Sequence, residues 1–490
     1  LKKTVRWVVG IVLGVYIGTI VLLNIPNIQQ AMSVFVAEEL SEVLNTKVVI
    51  GRINIGLLNR IIIDDVLLDD QSGQEMLKVT RLSAKFDIMP FFKGKISISS
   101  VQLFGFNINL RKETPDSPPN FKFVLDAFAS KDTVKKENSL DLRINSILIR
   151  RGRMSYHVLS EEETPGKFNA KHIQLQNIIA NISLKALSKD SLNLGIKRLS
   201  LDEKASGFSL KKMSLKLVAN NKQTNIDNFT IELPETSLKL DTIHLEYDSL
   251  KAFDRFTEQV HFSFRTLPSQ VTLKDISPFV PILSHFKEPV TLDMEVKGTV
   301  DQLTCSHLEI TADDRQFRLR GDVSLQDLSR PQDAYVYGTL SELSANTRGV
   351  GFLVRNLSPN YNGVPPLLER LGNVSFQGEI SGYFTDLVTY GQLQTSLGNV
   401  KTDLKLSSDK TKGLFAYSGA VKTEDFQLGK LLDNEELGEI TFNLDVHGRH
   451  IADHLPAVEL KGLIASIIAD IDMRISHWTE NTNKADLMER

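Results

Sequence analysis

From Thr46 onward, apolar and polar residues alternate one by one, and this period of two constrains the fold more than anything else in the sequence. Successive side chains of a strand point to opposite faces, so such alternation specifies one apolar and one wet face. Leu192, Leu194 and Ile196 form one set. Phe208, Leu210, Leu215 and Leu217 form a second, Phe229, Ile231 and Leu233 a third, and Leu238, Leu240, Ile243, Leu245 and Tyr247 a fourth. Ser, Lys, Asn, Thr and Asp fill the positions between them. A mainly β body is therefore expected, with little helix to cover its apolar face. A second sheet would hide that face in a sandwich; an antiparallel sheet that curls on itself, the architecture expected here, would leave an elongated apolar groove.

Turn residues divide the earlier part into strands at Lys47–Ile55, Asn59–Leu68, Leu77–Ile88 and Lys95–Leu110. In the third of these, Leu77 and Val79 give way to Leu82, Ala84 and Phe86, which places a bulge near Arg81. Pro115, Pro118 and Pro119 mark a loop, Phe121–Phe128 a short helix and Lys131–Asn138 an exposed charged turn. Short helical inserts are expected at Ile276–Leu283, Val364–Leu371 and Phe426–Glu436. A loose repeat of strand, glycine, turn and strand recurs as Val296-Lys297-Gly298 to Leu303, Ile380-Ser381-Gly382 to Leu387, and Val446-His447-Gly448 to Leu455. Ser476 to Arg490 is polar and patternless.

Ahead of the β body, Val5–Leu23 is uncharged after Arg6. A helix of that length is about 28 Å long, close to the hydrocarbon thickness of a bilayer. Lys2, Lys3 and Arg6 precede it, which puts the N-terminus in the cytoplasm. The competing reading is a cleaved signal peptide, but Asn24, Ile25, Pro26 and Asn27 follow instead of a small-residue cleavage site. An uncleaved anchor is expected. Pro26 then breaks the helix. Ile28, Met32, Phe35, Val36, Leu40, Val43 and Leu44 recur at helical spacing, giving an amphipathic helix that caps the first strands or lies on the membrane.

The chain has 490 residues and a net charge of -3, without the clustered basic excess that nucleic acid requires. Cys305 is its one cysteine, so neither a disulfide framework nor a cysteine-based zinc site forms within the chain. His447, His450, Asp453 and His454 could ligate a metal, but their spacing matches no helical zinc motif and a solvated loop is expected. Asp64-Asp65 and Asp69-Asp70 fall at a bulge and a hairpin tip, where Asp serves local hydrogen bonding. Arg150-Arg151-Gly152-Arg153 could meet phosphate headgroups, against the simpler reading of a solvated turn. Gly349-Val350-Gly351 lacks a third glycine and is no nucleotide site. No catalytic residue, cofactor or metal is expected, and the chain does not read as an enzyme.

Several of these features share an order. The anchor, Ile25-Pro26-Asn27, the amphipathic helix, KVVIGRINI at Lys47–Ile55, NRIIIDDVLLDD at Asn59–Asp70, Gly73, Phe92-Lys93-Gly94-Lys95-Ile96, VQLFGFNINL at Val101–Leu110 and Phe121–Phe128 follow one another. This succession resembles the start of AsmA-like proteins, most closely the TamB (translocation and assembly module) branch of Bacteroidetes type. On that basis the chain divides into an anchor (1–25), a capping helix (26–46), an AsmA-like N-terminal β region (47–160), a groove meander (161–290), loosely repeated groove units (291–475) and an irregular tail (476–490). Relatives in that branch are several times longer and end in a TamB domain not recognisable here, so a shortened copy is expected.

The resemblance implies an inner-membrane anchor, a periplasmic body and a long β-groove that moves phospholipid toward the outer membrane. Leu192, Leu194, Leu215, Leu217, Phe229, Ile231, Leu238 and Leu240 are the groove candidates, with phospholipid acyl chains as the cargo. The alternative is an assembly factor for outer-membrane or secreted proteins, working with an outer-membrane β-barrel partner through its sheet edges.

Overall fold

A computed structural model describes residues 2–56, 59–87, 98–128, 145–187, 191–312, 316–330, 333–357, 363–364, 366–409, 414–434, 436–451 and 457–467. It is mainly β and divides into two compact units. The first comprises Leu1–Asn220, Asn225–Ser237 and Asp275–Leu283; the second comprises Asn221–Thr224, Leu238–Lys274 and Ser284–Arg490.

The first unit begins with helices α1 (Lys2–Leu23) and α2 (Pro26–Leu44). Pro26 occupies the first turn of α2, where its missing N–H costs no hydrogen bond, and Asn45 ends the helix in the left-handed region. Side chains fix this junction. Asn24 Nδ2 donates to the Ile55 carbonyl at 2.6 Å, and Gln29 Nε2 donates to Asn24 Oδ1 at 3.0 Å and to Asn54 Oδ1 at 2.7 Å.

Strands β1 (Val48–Gly56), β2 (Arg60–Asp69), β3 (Glu75–Phe86) and β4 (Ile98–Lys112) pair antiparallel in succession. Helix α3 (Lys122–Phe128) follows. Strand β5 (Ser146–Val158) then pairs with β4 in parallel, Ser100 opposite Ser146 and Lys112 opposite Val158. This corrects the expectation of a wholly antiparallel sheet. The connection 113–145 is long enough to carry a helix and return the chain to the end of the sheet it left, as a parallel pair requires. Strands β6 (His172–Leu187), β7 (Ser191–Glu203) and β8 (Ser209–Asn220) resume antiparallel pairing, and β9 (Gln223–Glu232) follows.

A line of irregularities crosses these strands. Asp65 in β2, Gly105 in β4, Arg151 in β5 and Asn177 in β6 all have positive φ, between 55° and 66°. The registers make them neighbours: Asp65 falls opposite Thr80, Thr80 opposite Gly105, and the β4–β5 and β5–β6 ladders lapse beside Arg151 and Asn177. At each crossing the phase of alternation inverts. In β4, Val101 and Leu103 give way to Phe106 and Ile108; in β5, Ile147 and Ile149 to Gly152 and Met154; in β6, Ile173 and Leu175 to Ile178, Ala180 and Ile182. From β1 to β5 the ladders keep register across the seam, and shifts appear there in the β5–β6, β6–β7 and β7–β8 ladders, where bulges bend the strands and tighten their twist. Buried Val79, Phe106 and Ile178 pack along it. Gly152 is required there because a Cβ would lie 2.4 Å from the Phe106 ring.

The second unit holds β10 (Ser237–Leu240), β11 (Ile243–Glu246), β12 (His261–Val271), β13 (Val290–Thr299), β14 (Gln302–Ala312), β15 (Phe317–Gln326) and β16 (Tyr335–Ala345). Helix α4 (Thr347–Leu357) precedes β17 (Val374–Tyr383), β18 (Asp386–Thr395), β19 (Gly398–Asp409), β20 (Leu414–Gln427), β21 (Glu439–Ile451) and β22 (Ala457–Ile467). From β11 to β22 each strand pairs antiparallel with the next. A second seam crosses β12 to β16, where register shifts fall at Arg265/Ser269, Cys305/Leu308 and Leu340/Leu343. Thr266 bridges it, accepting from the Met294 N–H at 2.7 Å. In two copies of the loose repeat, Gly298 and Gly382 take φ of +124° and +131°, and a Cβ on either would strike the carbonyl four residues on. The third copy differs: Gly448 lies within β21, and Leu455 is outside the described residues.

The inserts appear as short turns of helix at Leu273–Ile276, Pro281–His285, Pro366–Arg370 and Leu428–Leu432. Helix α4 was not foreseen. Its Val350 and Phe352 fill a cluster with Ala312, Phe317 and Ala345, which is the role of the segment that includes Gly349 and Gly351.

Candidate functional site

Apolar burial among the described residues is divided over five small clusters. The largest seals the face of β1–β3: Ala37 and Leu44 of α2 pack with Val48, Ile50, Ile53, Leu68 and Met76, and Phe121, Phe123 and Val124 close over them.

The face formed by β6, β7 and β8 differs. Ile182 is opposite Ile196, and Ile196 opposite Leu215; Leu184 is opposite Leu194, and Leu194 opposite Leu217. Two apolar rows thus cross three strands on one face. All six side chains are half-buried and belong to none of the buried clusters. Lys197, Arg198, Lys216 and Val218 are exposed. Of the groove candidates, Leu194 and Leu217 are direct cross-strand partners, and Leu192 and Leu215 pair with Ala219 and Ile196. Phe229 and Ile231 lie half-buried on β9 in the same unit. Leu238, half-buried, and Leu240, buried, belong to the second unit.

The N-terminal helices carry their own apolar surface. Trp7, Ile11, Val15 and Val21 of α1 and Val34, Phe35 and Val43 of α2 are exposed. Among the described residues no single helix is long and apolar enough to cross a membrane; Leu13–Leu23 and Pro26–Leu44, bent by 72°, could do so together by length and composition.

The acidic pairs serve the fold. Asp64 binds Arg81 at 2.6 Å and accepts from Asn54 at 3.2 Å, while Asp65 stands on the seam at positive φ beside Gly51, its strand in register on both sides. Asp70 is buried at a hairpin tip. Its Oδ1 accepts from the Ser72 and Gln74 amides at 3.0 and 3.1 Å, and its Oδ2 from Arg111 at 2.7 Å and Asn120 at 3.1 Å. Burial works against its charge, but the hydrogen bonds from Ser72, Asn120 and Gln74 outweigh burial and hold the carboxyl below its ordinary value. Glu203 closes the β7–β8 turn in the same way, buried yet held ionised by Ser206, Gln174 and Ala205.

Arg150, Arg151 and Arg153 are exposed on β5, Arg151 with its guanidinium 5.2 Å from the centre of the Phe104 ring. His447 is exposed on β21; Asp453 and His454 fall outside the described residues. One group escaped the sequence reading. His157, Glu163 and His172 bring three ligand-type atoms within 4.8 Å of one another. His157 is the penultimate residue of β5 and His172 opens β6, directly opposite one another. The signal was two histidines flanking a hairpin loop, visible only once the strand ends are known.

No family model, no curated protein and no solved structure matches this chain.

Proposed function

We propose that this chain is a membrane-anchored periplasmic conduit of AsmA-like, TamB-type character that carries phospholipid acyl chains away from the inner membrane. The observation that carries the reading is the pair of apolar rows across β6, β7 and β8, half-buried and outside every buried cluster. A soluble sheet that needs an apolar face only for stability would bury it against a second layer. A diacyl lipid crossing water exposes roughly thirty methylenes at ~0.8 kcal/mol each, so free diffusion is closed to it. A continuous apolar strip removes that barrier without chemistry. The exposed apolar surface of α1 gives such a conduit a hold on the membrane where its cargo starts.

The test is photo-crosslinking in cells from Leu194, Leu215 and Ile231, with Val218 on the opposite face as control. Lipid adducts at the first three positions and none at Val218 are expected. Adducts to an outer-membrane barrel or a secreted protein in their place would favour the assembly reading. Equal lipid labelling at Val218 would mean that the apolar rows have no part in transfer.

A further inference from the structure

We infer that His157, His172 and Glu163 form a divalent transition-metal site of the zinc class, which staples the β5–β6 hairpin and keeps one coordination position open. The two rings face each other across the antiparallel pair, with Nδ1 atoms 3.0 Å apart, centroids 5.3 Å apart and planes tilted by 51°. His172 is buried and His157 half-buried.

The state of His172 follows from its other nitrogen. Its Nε2 lies 2.9 Å from the Glu161 carbonyl oxygen, and a carbonyl only accepts, so Nε2 carries the hydrogen. The neutral ring then has a bare lone pair on Nδ1, and that lone pair points at His157. Anchoring the outer nitrogen of a histidine on a backbone carbonyl while the inner one stays free is how metal-binding imidazoles are held. Without an ion, His157 donates its Nδ1–H into this lone pair. With an ion, His157 adopts the other tautomer and both lone pairs meet the metal, so a single N–H···N bond is exchanged for two metal–nitrogen bonds.

The spacing fits. Bonds of 2.0–2.1 Å at tetrahedral angles set two nitrogen ligands about 3.3 Å apart, within a few tenths of an ångström of the distance between these rings. Glu163 Oε1 lies 3.9 Å from His157 Nδ1, on a side chain 63% exposed and free to swing inward. The neighbouring cation does not compete for it: Lys171 Nζ pairs with Glu161 at 3.6 Å. Asn169 holds the loop, donating to the Glu162 carbonyl at 3.0 Å and accepting from the Lys171 amide at 2.9 Å. Two imidazoles and one carboxylate make a three-ligand set for zinc, with the fourth position left to water or an incoming ligand.

The experiment uses the full chain in detergent, stripped with a chelator and titrated with Zn²⁺ by calorimetry and with Co²⁺ by visible absorption. One equivalent per chain, the d–d bands of a tetrahedral cobalt centre and a zinc-dependent rise in melting temperature are expected. His157→Gln should weaken zinc binding by at least ~10-fold and abolish the melting shift, and Glu163→Gln should weaken it less. Both side chains reach solvent, so both variants should fold, as circular dichroism would verify. His447→Ala should bind zinc as the parent does. The site is refuted if the parent shows no saturable zinc binding, or if His157→Gln binds zinc unchanged.

Discussion

Around β1–β3 the apolar face is closed: α2 and α3 lie over it, and Ile50, Ile53, Leu68 and Met76 are buried. Around β6–β8 an apolar face built from the same alternation stays half-open, and Leu194, Ile196, Leu215 and Leu217 retain solvent contact. Both are sheet faces of leucine, isoleucine and valine. What separates them is the segment beside them in the chain. A helix precedes β1 and another follows β4, whereas β6, β7 and β8 follow one another through connections of only a few residues, too short to carry a covering helix. Covering is thus a property of the connections, and the same strand pattern serves as a core in one place and a surface in the other.

The largest expected effect tests this difference directly. Leu68→Asp would bury an unpartnered carboxylate and should cost about 3–5 kcal/mol, enough to deplete the protein in cells. Leu215→Asp can turn its charge to water and should cost under ~1 kcal/mol while blocking lipid transfer. Denaturant melts, immunoblot abundance and outer-membrane permeability of the two variants measure this; equal losses of stability would mean that the β6–β8 face is a sealed core. Next comes the seam. Gly152→Val drives a branched side chain into the Phe106 ring and should cost about 2–3 kcal/mol, whereas Gly338→Ala, whose Cβ meets ordinary contacts at 3.5 Å, should change little. A smaller effect is expected of Asp70→Asn, about 1–2 kcal/mol near neutral pH. The Asp70 carboxyl is held below its ordinary value, so its contribution is present above the normal carboxylate range and disappears as pH falls through the lowered value. Melts of parent and variant should therefore converge in acid; a gap that persists there would show that Asp70 contributes through packing and not through its charge.

Much of this was legible in the residues. Alternation identified the strands and the cross-strand set Leu194, Leu215 and Leu217, and the step from Val79 to Leu82 marked the seam, although the bulge expected near Arg81 is absent: Arg81 pairs in register with Asp64 and Phe104. The same step of three recurs from Leu103 to Phe106, Ile149 to Gly152, Leu175 to Ile178 and Ile196 to Leu199. Taken together these steps mark the whole seam, but each by itself looks like an ordinary lapse in a strand. The parallel β4–β5 pair was not legible, because alternation is indifferent to strand direction; only the long connection 113–145 hinted at it. The histidine pair was hidden for a related reason. His157 and His172 are 15 residues apart, and only the β5–β6 register sets them face to face.

The seam also divides each strand into two reading frames. Upstream of Asn177 the apolar face of β6 is written in odd positions and downstream in even ones. Losing one residue between Ala180 and Ile182, clear of the bulge at Asn177, would turn Ile182 and Leu184 outward together against unaltered neighbours in β5. A residue gained there would do the same. Such a wall can lengthen by whole strands and can vary its loops freely, but within a strand away from the seam it accepts changes only in pairs, much as a coding sequence accepts insertions only in threes.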